Sequence, residues 1–475
     1  MAHYDRGEMR FGRTLALLGV GLLWFGFGPL VLVAALLSLL WPPARAWLRP
    51  TRRVVAVWAA VVVVLAGLAV VVPDGWVPIP PGPGRWVTPA YVGRPLVAGP
   101  ERGPVGESPT VVTKSYGVAD CHRVEFDDDG RPVLLCGGER PVLRVLDPDS
   151  LRQLRSTDLP GAGCAGRLVV VGADLVASSG QRILTIGDDD LVVESSVDLA
   201  GELGSGDCVT GLGADPTGRV WFASRDGLVG FVAGDRVRTV DLGDRVDRPL
   251  TVADEGVYVA GAEGLHRVVI EGGKPVAAWD SPYDDGGERG SAPVVLPDGL
   301  VAVADNRSPR LQVVFHRAGS GDVVCRAEVF GDDEGATDGG LVAAGSGVVV
   351  QNSHGYHGPR STLLGRTTSR GIARVDVVGG RCRVAWTTDM DAPSGAPAVS
   401  TEDGLAYVWT KRHSWLGVDA WYLSALDLRT GRLAWARRTG LNPLADNHGG
   451  AVALGPDRAA YVPVLGGLVK VADRR

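Results

Sequence analysis

Polar side chains able to bind ligands or move protons gather in six segments of the second half of the chain: 281–290, 303–310, 331–340, 351–371, 410–421 and 441–450. Asp305, Asn306, Asp338, Asn352, His354, His357, Lys411, His413, Asn447 and His448 stand out within them. Carboxylate and amide oxygens at this density suit Ca²⁺. Clustered imidazoles suit Zn²⁺ or another transition metal. A histidine such as His357 or His448 can serve as acid, base or nucleophile. The spacing assigns none of these. Neither HExxH nor an EF-hand pattern occurs, and the run from Asn352 to His357 is spaced like a loop. The competing reading is a polar rim bonded to itself and to water. The ten residues therefore define a candidate ligand-binding face, without a catalytic residue or a cofactor assigned, and with the metal open between Ca²⁺ and Zn²⁺.

These segments need a scaffold that brings them together. From about residue 109 onward helical periodicity is almost missing, and one phrase recurs: small residues, an apolar run, a turn built on Asp and Gly, then a second apolar run. Ser291–Val301, the stretch from Gly395 and the stretch from Gly449 show it best, with weaker copies from Gly211 and Leu250. Each is a β-hairpin with turn chemistry of Asp and Gly. A second hairpin follows in most copies, as in 142–153, 372–386 and 422–435. Two hairpins make a four-stranded antiparallel unit, and radial repetition of that unit makes a β-propeller. Second strands are expected to begin near 132, 171, 219, 257, 299, 347, 404 and 459, which gives eight blades, with seven as the alternative. The last unit lacks an outermost strand. Thr110–Tyr116 has no partner and is expected to close the ring beside Leu468–Val471, which would also hide an edge strand. In such a ring the six polar segments emerge on one face.

The blade at 425–435, Ala-Leu-Asp-Leu-Arg-Thr-Gly-Arg-Leu-Ala-Trp, resembles the repeat of PQQ-like, or quinoprotein-like, propellers. In that family A-x-D-x-x-T-G-x-x-x-W marks the outer hairpin of a WD40-like, four-stranded blade. The resemblance spans about 109–475 and implies that Trp435 docks between neighbouring blades, with Trp386 and Trp279 in comparable positions. The quinone enzymes of the family carry adjacent cysteines against the cofactor and a Glu/Asn/Asp calcium set. This chain has no adjacent cysteines and no clear counterpart of the calcium set, so PQQ is not expected.

All six cysteines lie in the repeat region. Cys121 and Cys136 flank a hairpin with Asp127–Gly130 at its tip, which places them opposite each other, a geometry that suits a disulfide. Cys164 and Cys208 each precede an innermost strand of successive units and are expected to bridge adjacent blades. Cys325 and Cys382 fall on outer strands, which diverge between blades, so their pairing stays open. No C-x-x-C occurs, which argues against haem attachment and dithiol redox work.

Ahead of the repeats, residues 15–42 and 54–73 are apolar runs, and roughly 20 apolar residues suffice to cross a bilayer as helix. They are expected to be two transmembrane helices, with the lipid bilayer as a partner. Arg45, Arg49, Arg52 and Arg53 between them place that short loop in the cytoplasm. An even cysteine count favours an oxidising outside for the remainder. The expected organisation is a membrane anchor at 1–73, a proline/glycine-rich spacer at 74–108 and a propeller at 109–475. The expected location is the cell membrane, multi-pass, with the large domain extracytoplasmic. A formal net charge of −6 and no basic patch argue against nucleic acid. The function read from this is an anchored binding or scaffold module for an envelope protein, a glycan or a small molecule. The alternatives are an arylsulfotransferase-like transferase or lyase using a histidine at the channel mouth, and then a quinoprotein oxidoreductase.

Overall fold

The computed structural model describes residues 95–137, 141–160, 164, 166–283, 290–414 and 417–474, and, ahead of them, 19–20, 34–35, 37–38 and 40–43. Thirty-two strands form eight four-stranded antiparallel sheets. Inner to outer, blade one is β2 (Cys121–Phe126), β3 (Pro132–Cys136), β4 (Val142–Leu146) and β5 (Gln153–Asp158). Blade two is β6 (Leu168–Val171), β7 (Asp174–Ser179), β8 (Arg182–Gly187) and β9 (Val193–Asp198). Blade three is β10 (Val209–Ala214), β11 (Val220–Ser224), β12 (Leu228–Ala233) and β13 (Arg236–Asp241). Blade four is β14 (Thr251–Ala253), β15 (Gly256–Ala260), β16 (Gly264–Glu271) and β17 (Lys274–Pro282). Blade five is β18 (Val294–Leu296), β19 (Leu300–Asp305), β20 (Leu311–Arg317) and β21 (Val323–Val329). Blade six is β22 (Leu341–Ala344), β23 (Gly347–Gln351), β24 (Ile372–Val378) and β25 (Arg381–Thr388). Blade seven is β26 (Ala398–Ser400), β27 (Leu405–Arg412), β28 (Ala420–Asp427) and β29 (Leu433–Gly440).

Blade eight closes the ring. It takes β30 (Ala453–Leu454), β31 (Ala460–Val464) and β32 (Gly467–Ala472) from the end of the chain and β1 (Thr110–Ser115) from before blade one. Thr113 lies opposite Val469 and Lys114 opposite Leu468, in the pairing that the unpartnered Thr110–Tyr116 segment predicts. The fold is an all-β propeller of eight blades.

The core confirms a closed ring. Eight clusters of buried apolar residues each lie between two adjacent blades, from blades one and two (Val133, Leu143, Leu175, Ile186) around to blades eight and one (Leu134, Leu146, Tyr461, Leu468). The strands supply them because alternate residues of a β-strand face opposite sides of the sheet, and both faces of each blade are covered.

The tryptophans lock neighbouring blades at their outer edges. Trp386 of blade six donates its Nε1–H to the Leu428 carbonyl of blade seven at 2.8 Å. Trp279 of blade four donates to Ala318 of blade five at 3.1 Å. Each indole sits against the glycine of the next blade's turn, Gly431 (φ +69) for Trp386 and Gly321 (φ +77) for Trp279. That explains the D-x-x-T-G phrase. Asp427 Oδ1 accepts from the Arg429 and Thr430 amides and from the Thr430 hydroxyl, at 3.0, 2.9 and 2.9 Å, which folds the turn. Gly431 then leaves room for the incoming ring. Trp435 of blade seven has no such turn to meet in blade eight. Gly106 (φ +96) stands over its ring instead.

Gly106 belongs to a strap, 95–109, that runs across blades seven and eight. Leu96 N–H bonds to Thr401 O at 2.8 Å, Gly103 N–H to Asp403 at 2.8 Å and Val105 N–H to Asp473 at 2.7 Å. This part of the expected spacer is docked on the propeller.

Three disulfides are present. Cys121–Cys136 joins facing residues of β2 and β3, with Cα atoms 4.0 Å apart. Cys164–Cys208 joins the segments leading into blades two and three. Cys325–Cys382 joins β21 to β25, the outer strands of blades five and six, with Cα atoms 5.5 Å apart. The pairing left open for these two cysteines is thus a disulfide between outer strands of neighbouring blades.

The two expected transmembrane helices are a correction. Among the described residues no helix is long and apolar enough to cross a membrane. Of 15–42 only residues 19–20, 34–35, 37–38 and 40–42 are described, and 54–73 lies outside the described residues. Hydropathy measures the transfer of side chains, whereas a span also needs an unbroken helix that satisfies every backbone group. Run length reports only the first requirement. The lipid-bilayer partner, the membrane anchor and the multi-pass cell-membrane location rested on those helices and fall with them, and the extracytoplasmic placement loses the topology half of its argument.

Candidate functional site at the channel mouth

In each blade the segment leading into the innermost strand and the connection between the two middle strands leave the ring at the same end. Eight of the ten residues singled out from sequence lie on such segments, and Asp305 and Lys411 stand at the ends of β19 and β27 that lead into them. Half of them prove to be fastenings. Asn306 exchanges hydrogen bonds with the Thr337 backbone, accepting at 2.8 Å and donating at 2.9 Å, and so ties blade five to the segment leading into blade six. Asn352 is fully buried, donates to Glu334 O and Arg370 O, and accepts from the Ala336 and His354 amides. Asn447 donates to Ser394 O at 3.0 Å and Gly450 O at 2.7 Å and accepts from the Ser394 hydroxyl. Lys411 is 1 % exposed, pairs with Asp419 at 2.9 Å and donates to Arg366 O at 2.6 Å. Burial pushes its ammonium below the usual lysine range, against the pull of Asp419. Asp305 is buried at the end of β19. Buried polar groups are satisfied in this way wherever possible, so these five hold the long loops in place.

The other five are more accessible but do not form one cluster. Asp338 is exposed and pairs with Arg248 from the segment leading into blade four. His357 is exposed on the 351–371 loop and His354 is half-buried beside it. His413 lines a cleft of about 260 Å³ with Arg370, Asp391 and Arg412. Among the described residues no three His, Cys, Asp or Glu side chains gather in a way that could hold a metal ion.

His448 is the residue around which chemistry assembles. Tyr356 donates its hydroxyl to Asp446 Oδ1 at 2.9 Å and lies 3.1 Å from His448 Nδ1. Asp446, 1 % exposed, also accepts from the Thr362 hydroxyl at 2.6 Å and the His448 amide at 2.8 Å. With the tyrosine proton committed to Asp446, Nδ1 of His448 is assigned as the donor to the phenol oxygen, which leaves Nε2 as the basic nitrogen. Burial, then the charge and hydrogen bond of Asp446, push the Tyr356 phenol well above its ordinary range, so it stays a neutral donor. The His122 ring at the head of β2 stands 5.8 Å from that of His448. Asp120 lies 3.4 Å from His122 Nε2. Its hydrogen bond to His122 outweighs desolvation and holds the carboxyl below the usual range. Its Oδ1 is buried without a hydrogen-bond partner. Asp120 and His448 both adopt positive φ, +48° and +40°, a conformation that costs about 1–3 kcal/mol in a non-glycine residue and collects at functional sites.

The 446–448 segment meets the long 351–371 loop through Tyr356, which stands between His354 and His357. Asp120 and His122 were missed altogether. Their signal was positional. Once β1 closes blade eight, 116–120 becomes the segment leading into an innermost strand, in the same class as the six polar segments, but short.

A second cleft, of about 740 Å³, lies at the opposite end of the ring under the strap, lined by Asp149, Asp403, Asp457, Lys470 and Asp473. Its charges are already engaged. Lys470 pairs with Asp457 at 2.7 Å, and Asp473 accepts the strap amides of Val105 and Gly106. It holds the closure of the ring.

No family model matches the chain. An uncharacterized protein of Archaeoglobus fulgidus is 23% identical over 347 residues, which cover 62% of this chain and 67% of that one. The quinohemoprotein alcohol dehydrogenase of Comamonas testosteroni is similar in structure, with a TM-score of 0.54 at 10% identity over 78% of this chain and 77% of that one. The dihydro-heme d1 dehydrogenase NirN in complex with DHE follows at 0.51 and 12%, over 74% and 77%. At these identities the likeness shows the propeller fold alone.

Proposed function

We propose that the propeller is a binding module whose ligand sits at the channel mouth where blades six, eight and one meet, against His448, His122 and Tyr356. The observation that carries this reading is the convergence of three segments remote in sequence: 356–362 and 446–448 are hydrogen-bonded to each other, and the His122 ring stands 5.8 Å from that of His448. The surrounding Asn352, Asn447 and Lys411 are saturated internally, so the rim is preorganised, which lowers the entropic cost of binding. Envelope proteins, glycans and small molecules all fit such a face in principle. Half-buried imidazoles beside a phenol favour a small molecule with acceptor groups.

The Asp446–Tyr356–His448 chain supports a second reading, in which Nε2 of His448 acts as a general base or acid in a transferase or lyase. Both readings meet one test. A thermal-shift screen of the full chain against sugars, organic acids and nucleotides is repeated with Tyr356→Phe and His448→Ala. Hits weakened at least tenfold by either variant support the site. Hits indifferent to both refute it. Consumption of a hit by the native chain but not by His448→Ala selects the enzymatic reading.

A further inference from the structure

Arginines supply a feature of the channel mouth that the proposed centre does not use. Arg123 lies on β2, Arg167 leads into β6 and Arg248 leads into β14, so innermost strands of blades one, two and four bring three guanidinium groups to the same end of the channel. Arg123 pairs with Glu125 and Arg248 with Asp338. Arg167 has no side-chain partner among the described residues. Its backbone is fixed to Ser178, the Arg167 amide donating to the serine hydroxyl and the Ser178 amide to the Arg167 carbonyl, both at 2.8 Å. Gly166 permits that approach, because a Cβ there would stand 2.9 Å from the Ser178 carbonyl and 2.7 Å from the Leu135 side chain. The Nε atoms of Arg167 and of Arg248 are both buried without a hydrogen-bond partner. Burial, then the charges of Arg123 and Arg248, lower the proton affinity of Arg167, yet a guanidinium remains charged in proteins. A half-buried guanidinium whose Nε is buried and unpaired, beside two other cations, is costly to the fold unless an anion arrives.

We propose that this end of the channel is an oxyanion site, in which Arg167, flanked by Arg248 and Arg123, holds a carboxylate, phosphate or sulfate group of a small molecule. The planar fork of a guanidinium matches such groups in bidentate fashion. Asp338, exposed and paired with Arg248, competes with the incoming anion. The overall charge of −6 keeps anions from the rest of the surface, so the arginine arc is what selects them. The assignment rests on the channel-mouth reading above and names its ligand class.

The test measures thermal midpoints and calorimetric affinities of the full chain in phosphate, sulfate and acetate against chloride at equal ionic strength. At least one oxyanion should bind saturably. Arg167→Gln should weaken it at least tenfold, Asp338→Asn should tighten it, and Arg167→Gln in chloride should keep or raise the midpoint because an unpaired buried charge is gone. Should Arg167→Gln not fold, Arg248→Gln is read by the same affinity criterion. Absence of saturable binding by the native chain, or unchanged affinity in the variant, overturns the site. Glycerol 3-phosphate binding tenfold tighter than inorganic phosphate identifies the group as part of a larger molecule, and equal affinity identifies the free ion; either supports the site. Screen hits that need Tyr356 and His448 but ignore Arg167→Gln overturn the oxyanion assignment and keep the mouth reading. Oxyanion binding that needs Arg167 but ignores Tyr356→Phe and His448→Ala does the reverse.

Discussion

Gly431→Ala is expected to cost far more stability than alanine at an ordinary turn glycine, because the added methyl meets the tryptophan of another blade. A Cβ at 431 would stand 2.5 Å from Trp386 Cε3, 2.6 Å from Cδ2 and 3.0 Å from Cγ. The indole is 8 % exposed and held by its bond to Leu428 O at 2.8 Å, so it cannot move aside and keep its partner. Left-handed backbone at φ +69 costs alanine roughly 1–2 kcal/mol. Loss of the indole hydrogen bond adds about 1 kcal/mol, and overpacking adds about 1 kcal/mol more, for a total of about 3–4 kcal/mol. Gly379→Ala is the control. It lies in the outer turn of blade six, at φ +58, with nothing within 4 Å of its Cβ position, and should show the backbone share alone. Urea unfolding followed by tryptophan fluorescence and circular dichroism gives both values, with the m-value checking that the transition is unchanged. In a Gly431→Ala/Trp386→Ala cycle the steric and hydrogen-bond part should vanish, which appears as a coupling of about 2 kcal/mol. Equal losses at 431 and 379, or no coupling, would refute the view that the T-G dipeptide exists for the neighbouring tryptophan.

Other outcomes follow from the same structure. Cys325→Ser with Cys382→Ser should lower stability by about 3–4 kcal/mol, since the bridge closes a loop of 57 residues and chain entropy scales with loop length; a loss under about 1 kcal/mol in denaturant titrations argues against that origin. For Asp215, burial raises the carboxyl pKa, but hydrogen bonds from Thr217, Trp221 and Arg219 outweigh it and hold it at about 2 against 3.8 in the unfolded chain. Its contribution is therefore complete above about pH 4 and is lost as pH falls from there toward 2. Asp215→Asn should be less stable at neutral pH and should flatten the native profile in that window, as read from midpoints between pH 2 and 6. Removal of residues up to 116 should leave β32 as a bare edge and cause aggregation, visible by light scattering, because an unpaired strand templates pairing with other chains.

Much of the ring could be read from residues. The second strands begin at 132, 174, 220, 256, 300, 347, 405 and 460, within three residues of the expected positions, because Asp-Gly turn chemistry and strand alternation recur in every blade. The seam was legible for the same reason, as Thr110–Ser115 is a strand without a hairpin. The site was legible as a face but not as a centre. Asn306, Asn352, Asn447 and Lys411 look like ligands in sequence, since an amide or ammonium that ties two loops together has the same spelling as one that binds a guest. Asp120 and His122 escaped notice because ring closure brings the first blade beside the last, and Tyr356 and Arg167 because their neighbours come from other blades across the channel mouth. The pairing of Cys325 and Cys382 stayed open in the sequence because outer strands diverge on average, whereas β21 and β25 come within bridging distance. The apolar runs at 15–42 and 54–73 led to two expected spans because hydropathy scores side-chain transfer alone, and a span also needs a helix that satisfies every backbone group.

The seam also sets an order of events during synthesis. β1 pairs with β32, and about 360 residues separate them. At about 5–20 residues per second the ribosome releases the second strand roughly 20–70 seconds after the first. For that interval the nascent protein is a growing arc with two open sides, and the apolar Val111 and Val112 wait without their partners. A blade can form behind the ribosome, yet none gains its second neighbour at the seam until the final residues emerge. Anything that shields 110–115 during that wait, whether a chaperone or a slower exit of blade one, therefore governs the yield of closed rings without touching their final stability.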